Sequence, residues 1–159
     1  MSTRLLSQIF DDLVILGSTE RGFGLKQSIH IWITSNDYEN ANLMILLGYI
    51  ILGHREWNHG HIKIFAIYPE DTIEQERERL FSLIEAGQFP ISPNNIELIP
   101  RKPDISPVAI INEKSRDADL TIIGFRDGLV KHQGGELFEG YAQIGNTLFV
   151  NAASQIRIK

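Results

Sequence analysis

Apolar and polar positions along this chain switch between a spacing of two residues and one of three to four, the pattern of a parallel sheet with helical crossovers. Ile29, Ile31 and Ile33, with His30 and Trp32 between them, predict a strand at 29–33, and a shorter one is expected at 13–16. Asn36 with Glu39 three residues on has the form of a capping box, so a helix is expected over about 40–52, with Gly53 in the left-handed position past its end. That helix is apolar almost all round, which implies burial between the sheet and something else, a partner subunit included. A strand at 62–67 leads to a second helix, with Asp71 as its cap and Gly87 at its end. Ile73, Leu80, Phe81 and Ile84 share one face of it, and the charged run 74–79 forms a solvated one.

Pro90 and Pro93 mark a loop before a short strand at 96–99, and Pro100 and Pro103 keep the next segment extended. Ser106 and Pro107 are an N-cap and first-turn pair opening a helix to about Ser115. A strand at 120–123, a glycine-rich loop, a short helix near 136–142 and strands at 147–150 and 155–158 complete the prediction; the chain has no internal repeat and no low-complexity tract. The fold class is α/β, a three-layer sandwich with a mostly parallel sheet. Strands at Ile29, Ile62, Ile96 and Leu120 are expected to run parallel, with Leu46, Phe65, Leu80, Phe81, Ile110 and Ile122 buried.

The chain has 159 residues, 43% of them hydrophobic, enough for one substantial core, and a single domain over 1–159 is expected. The absence of cysteine excludes disulfides and thiolate chemistry and fits a reducing compartment, so a cytoplasmic location is expected. A formal charge of −5 gives no electrostatic reason to bind nucleic acid. The longest apolar run, 43–52, is interrupted by Gly48 and is about half of the ~20 residues needed to span a bilayer, so no direct membrane insertion is expected. The first residues, with Arg4 as their one basic group ahead of Asp11 and Asp12, predict no export signal.

Candidate chemistry is sparse. The glycine-rich segment 17–24 lacks the Lys and Ser or Thr that a P-loop places after its last glycine, and reads better as a turn. His54, His59 and His61 flank Glu56 and could be weighed as metal ligands, but the surrounding Trp57, Asn58 and Gly60 describe a loop entering a strand, and no metal is expected. No Gly-x-Ser-x-Gly elbow is present, and Asp117 and Asp119 read as a polar corner between helix and strand, so no enzymatic activity is expected. The remaining candidate is the loop from Gly124 to Gly145. There Gly124, Gly128 and Gly145 offer backbone freedom, Arg126 positive charge and Thr147 a hydroxyl, a set suited to an anion or nucleotide; a plain surface loop is the alternative.

From Ile29 to Val150 the order of elements resembles a universal-stress-protein-type domain, whose nucleotide loop follows the fourth strand with the pattern Gly-x2-Gly-x9-Gly and then Ser or Thr. Here Gly124 and Gly128 are spaced one residue wider, and Gly145-Asn146-Thr147 is similar to the end of that pattern. The segments 42–49, 57–67 and, above all, 112–123 resemble the cytoplasmic C-terminal region of prokaryotic cation-chloride cotransporters of the Na-K-Cl type. That resemblance implies a regulatory and dimerisation domain on the cytoplasmic side of the cell membrane. Its partners would be a second copy of itself and the transmembrane domain of the parent transporter, and it would need no cofactor. The universal-stress resemblance implies ATP or ADP as the alternative ligand.

Overall fold

The computed structural model describes residues 2–9, 12–20, 22–125, 140–141 and 144–151. One seven-stranded sheet runs in the order β1-β2-β7-β6-β3-β4-β5. Its strands are β1 (Ser2–Ile9), β2 (Asp12–Ser18), β3 (Ser28–Thr34), β4 (His61–Pro69), β5 (Ile96–Arg101), β6 (Leu120–Gly124) and β7 (Thr147–Asn151). The pairs β3/β4, β4/β5 and β3/β6 are parallel, as expected for the strands at Ile29, Ile62, Ile96 and Leu120, and β6/β7 is parallel too. The pairs β1/β2 and β2/β7 are antiparallel, so the two N-terminal strands extend the sheet beyond β7. β1 is absent from the sequence prediction. The expected helix near 136–142 and strand at 155–158 lie outside the described residues, apart from a turn at Gly140 and Tyr141.

Alternation along the central strands divides their side chains between two cores. Ile29, Ile31 and Ile33 of β3, with Ile62, Ile64, Leu120, Ile122 and Leu148, face α1 (Tyr38–Leu52) and α2 (Ile73–Ala86). Trp32, Phe65, Ile67, Ile123 and Phe149 form the opposite core with Ile111 of α3 (Pro107–Lys114). The result is the expected three-layer α/β arrangement. Trp32 and Phe65 stack at 4.3 Å between centroids, a cross-strand pair set by their facing register.

Local signals at the helix ends are borne out unevenly. Ser106 caps α3 as predicted: its hydroxyl accepts from the Val108 amide at 3.1 Å, and Pro107 occupies the first turn. α1 begins at Tyr38 after a 3-10 turn at Ser35–Asp37, because Asp37 turns its carboxylate back to Thr34. The side chains of Asn36 and Glu39 lie outside the described residues. α2 is preceded by Thr72, not capped by Asp71. Gly53 and Gly87 have right-handed φ angles of −74° and −82°, and after α2 the left-handed position falls to Gln88. Gly87 is needed for room: a Cβ there would lie within 2.9 Å of the Phe89 ring, which stacks on Tyr49.

Leu46 departs from expectation. It is 46% exposed, whereas Phe65, Leu80 and Ile122 are buried and Phe81 and Ile110 are half-buried. α1 rests on the sheet through Ala41, Met44, Ile45 and Gly48, and Leu46 lies on its outer side. The seat at Gly48 is close, since a Cβ there would stand 3.1 Å from Ile31 and 3.3 Å from Ile62. Gly48→Val would drive two further methyls into that seam. It is expected to lower stability by about 1–3 kcal/mol in urea unfolding; an unchanged midpoint would show that α1 does not sit this close.

Candidate functional site

Between β3 and β6 the chain direction across the sheet reverses, since β3 leads outward to β4 while β6 leads to β7 on the other side. Open α/β sheets bind ligands at the carboxyl ends of such a pair of strands. Gly124 ends β6 at that point. A Cβ at Gly124 would overlap the Asp37 carboxylate and come within 3.0 Å of the Asn40 amide nitrogen, so only glycine lets these side chains pack against the end of β6.

Asp37 is buried and well connected. Its Oδ2 accepts from the Thr34 amide and hydroxyl, both at 2.9 Å, and Asn40 Nδ2 donates to its Oδ1 at 3.4 Å. Burial, and then this carboxylate, push the Tyr141 phenol up to about 12. Tyr68 is also raised, by burial and then by Glu76 and Asp37. A buried carboxylate recognises hydrogen-bond donors, such as hydroxyl or amino groups, in preference to phosphate. Sequence reasoning missed Asp37 and Asn40, three residues apart at the start of α1, and Tyr68 and Tyr141, which are distant from them in sequence.

Of the residues expected to form the nucleotide site, the described ones Gly124 and Thr147 lie apart. Gly124 pairs with Val150, whereas Thr147 pairs with Thr121 at the other end of the same two strands. Three residues separate the positions, about 10 Å along the strand. Thr147 is fully buried and donates its hydroxyl to the Gly145 carbonyl at 3.1 Å, so it presents nothing to phosphate. Arg126 and Gly128 lie outside the described residues.

Other polar groups noted in the sequence hold the amino edge of the sheet. Asp119 accepts from the amides of Leu25 (3.2 Å), Gln27 (2.9 Å) and Ser28 (3.0 Å). Burial raises its pKa, but these amides and the Ser28 hydroxyl outweigh that effect and hold it below the ordinary carboxylate range. His54 caps a 3-10 turn at Arg55–Trp57, accepting from the Glu56 amide at 3.1 Å, while His59 and His61 are exposed. Among the described residues no cluster of three potential metal ligands is found.

A further pair was not legible in the sequence. Ser115, fully buried, accepts from Trp32 Nε1 at 2.8 Å and lies 2.8 Å from His30 Nδ1. The indole can only donate, so the Ser115 oxygen accepts from it and keeps its own proton and a second lone pair for His30. The serine is enclosed and cannot act as an accessible nucleophile. Burial, then Lys63 and His61, lower the His30 pKa from 6.5 to about 4, with Asp119 opposing. Between those values the unfolded chain binds a proton that the native state refuses, so stability is complete above pH 6.5 and is lost as pH falls toward 4. The loss is expected to be on the order of 2–3 kcal/mol. His30→Gln should remove most of that slope in denaturant titrations across the window; an equal slope in the variant would assign it elsewhere.

No protein-family model matches the sequence, and no curated protein matches it. Solved structures do. The cytoplasmic domain of a prokaryotic cation chloride cotransporter matches with a TM-score of 0.56 and 19% identity, over 87% of this chain and 52% of that one. A functionally unknown protein from Pseudomonas aeruginosa PAO1 matches with a TM-score of 0.57 and 21% identity, over 86% of this chain and 51% of that one. A candidate universal stress protein from Pseudomonas aeruginosa UCBPP-PA14 matches with a TM-score of 0.56 and 21% identity, over 85% of this chain and 50% of that one. This chain thus spans about half the length of the solved structures it matches. At these identities the likeness is one of fold, and the fold is the universal-stress-protein-like α/β arrangement with its mostly parallel sheet.

Proposed function

We propose that the chain is a regulatory interaction module of the kind found in the cytoplasmic part of a cation-chloride cotransporter, acting by self-association and contact with a transmembrane domain and not by catalysis. The observation that carries this reading is the outer side of α1. Leu46 and Ile50, one turn apart and so on one face, are 46% and 61% exposed. Solvated apolar side chains grouped in this way favour a protein partner. The apolar 148–150 segment is buried within the sheet and offers no surface for pairing. Among the described residues no helix is long and apolar enough to cross a membrane.

A homodimer through α1 is the simplest closed assembly. Sedimentation equilibrium is expected to show a monomer–dimer equilibrium at tens of micromolar protein, about the strength of a weak module. Leu46→Asp should shift that equilibrium toward monomer by at least about tenfold, because it places a charge in an apolar contact. A wild-type chain that stays monomeric at that concentration would remove self-association of this chain from the proposal.

The reversal of chain direction between β3 and β6, where Gly124 ends β6, supports a second reading, a nucleotide sensor for ATP or ADP. The buried Asp37 would there engage sugar or base donors, with Arg126 as the phosphate contact. Calorimetric titration with ATP, ADP and AMP tests it: Arg126→Ala should weaken binding about tenfold. No heat at millimolar nucleotide would sink this reading and leave the interaction module in place.

A further inference from the structure

The sheet is wider than the helix laid on it. α1 crosses β3, β6 and β7, and the antiparallel β2 carries the same face further out. Leu16 of β2 and Leu148 of β7 are register partners on that face, and they floor a cavity of about 490 Å³ together with Leu120. Ile50 and Ile51 at the end of α1 form one wall, and Phe23 and Trp57, edge to face at 6.0 Å, form the other. The walls and floor are hydrocarbon and aromatic. The size lies within the range of roughly 300–1,000 Å³ usual for small-molecule sites.

Polar groups converge at one place, the mouth. Lys26 reaches across it to an ion pair with Glu56, and His54 accepts the Glu56 amide, keeping that carboxylate at the rim. The loop that presents Lys26 is held in an unusual backbone. Gly22, Gly24 and Lys26 have φ of +62°, +55° and +55°, a conformation that a lysine adopts only under constraint. The constraint is visible: Asp119 binds the amides on either side of Lys26, and a Cβ at Gly24 would overlap its carboxylate. Sheet, loop and Asp119 thus pre-position one ammonium group over an apolar hollow.

We infer that this cavity is a binding site for a small amphiphilic carboxylate, a medium-chain fatty acid or an aryl-alkyl acid. Its apolar body fills the space between Trp57 and Leu148, and its carboxylate takes Glu56's place on Lys26. The exchange is feasible because the Lys26–Glu56 pair is solvent-exposed, with Glu56 side chain 54% accessible, and such pairs contribute little. A ligand carboxylate would form the same ion pair while burying a hydrocarbon tail, and each methylene removed from water adds to the gain. The site lies at the amino edge of the sheet, opposite Gly124, and rests on neither reading of function given above.

Sodium decanoate and 1-decanol serve as probes. Titration is followed by calorimetry and by the Trp57 indole resonance, in the wild type and in Leu46→Asp, so that a second copy covering Ile50 is distinguished from lack of a site. Saturable decanoate binding that moves the Trp57 signal is expected, with decanol weaker. Lys26→Asn, which keeps a residue tolerant of positive φ, should weaken decanoate about tenfold and leave decanol unchanged. Glu56→Gln, which removes the competing carboxylate, should tighten decanoate several-fold, an effect that a merely structural ion pair would not produce. No binding in either background at millimolar probe would overturn the inference, as would equal affinities for decanoate and decanol in all variants.

Discussion

The rest of the structure depends on how β7 is held. A parallel sheet ending at β7 would leave every second amide of that strand unpaired, an edge open to any extended chain. Here β6 bonds one side of β7 in parallel and β2 bonds the other in antiparallel register. Leu148, Phe149 and Val150 consequently lie in the interior, two facing the core beneath α1 and Phe149 facing the core beneath α3. The N-terminal strands therefore decide which surfaces remain for function. They close the β7 edge to partners, leave the outer side of α1 as an exposed apolar surface, and widen the sheet enough to open the cavity beside Trp57.

Long-range polar ties keep that addition in place. The Thr19 amide donates to Asn146 Oδ1 at 2.8 Å, joining the end of β2 to the start of β7. Asp119, entering β6, gathers the amides that lead into β3. Each tie is a carbonyl or carboxylate satisfying backbone amides that would otherwise be unpaired near the sheet edge, where the loss costs most. The amino edge is thus built from fixed polar anchors. The carboxyl edge at Gly124 instead has the buried carboxylate of Asp37 packed against it.

Much of the fold was legible because period-two runs such as 29–33 and 62–67 face helices on both sides and carry strong β-branched signals. The Ser106–Pro107 cap was legible for the same kind of reason, being complete within a few residues. β1 was not, since Ser2–Ile9 shows no clean alternation and its pairing with β2 shifts register between Leu5 and Ser7. The candidate site was legible only at Gly124. A local motif cannot report which end of a strand it occupies, so Gly145 and Thr147 seemed companions of Gly124 although strand direction puts them at the opposite edge. Asp37, Tyr68 and Tyr141, and likewise Ser115 with His30, are distant in sequence and lack any local spacing that would join them.

Amide hydrogen exchange along β7 tests the central claim most directly. If β2 clasps this strand, successive amides from Leu148 to Asn151 should be uniformly protected, to a degree comparable with β3 and β6 in the middle of the sheet. Alternating protection, with every second amide exchanging as rapidly as in an open edge strand, would mean that β2 does not hold β7. It would return the sheet edge, in place of α1, as the surface available to partners.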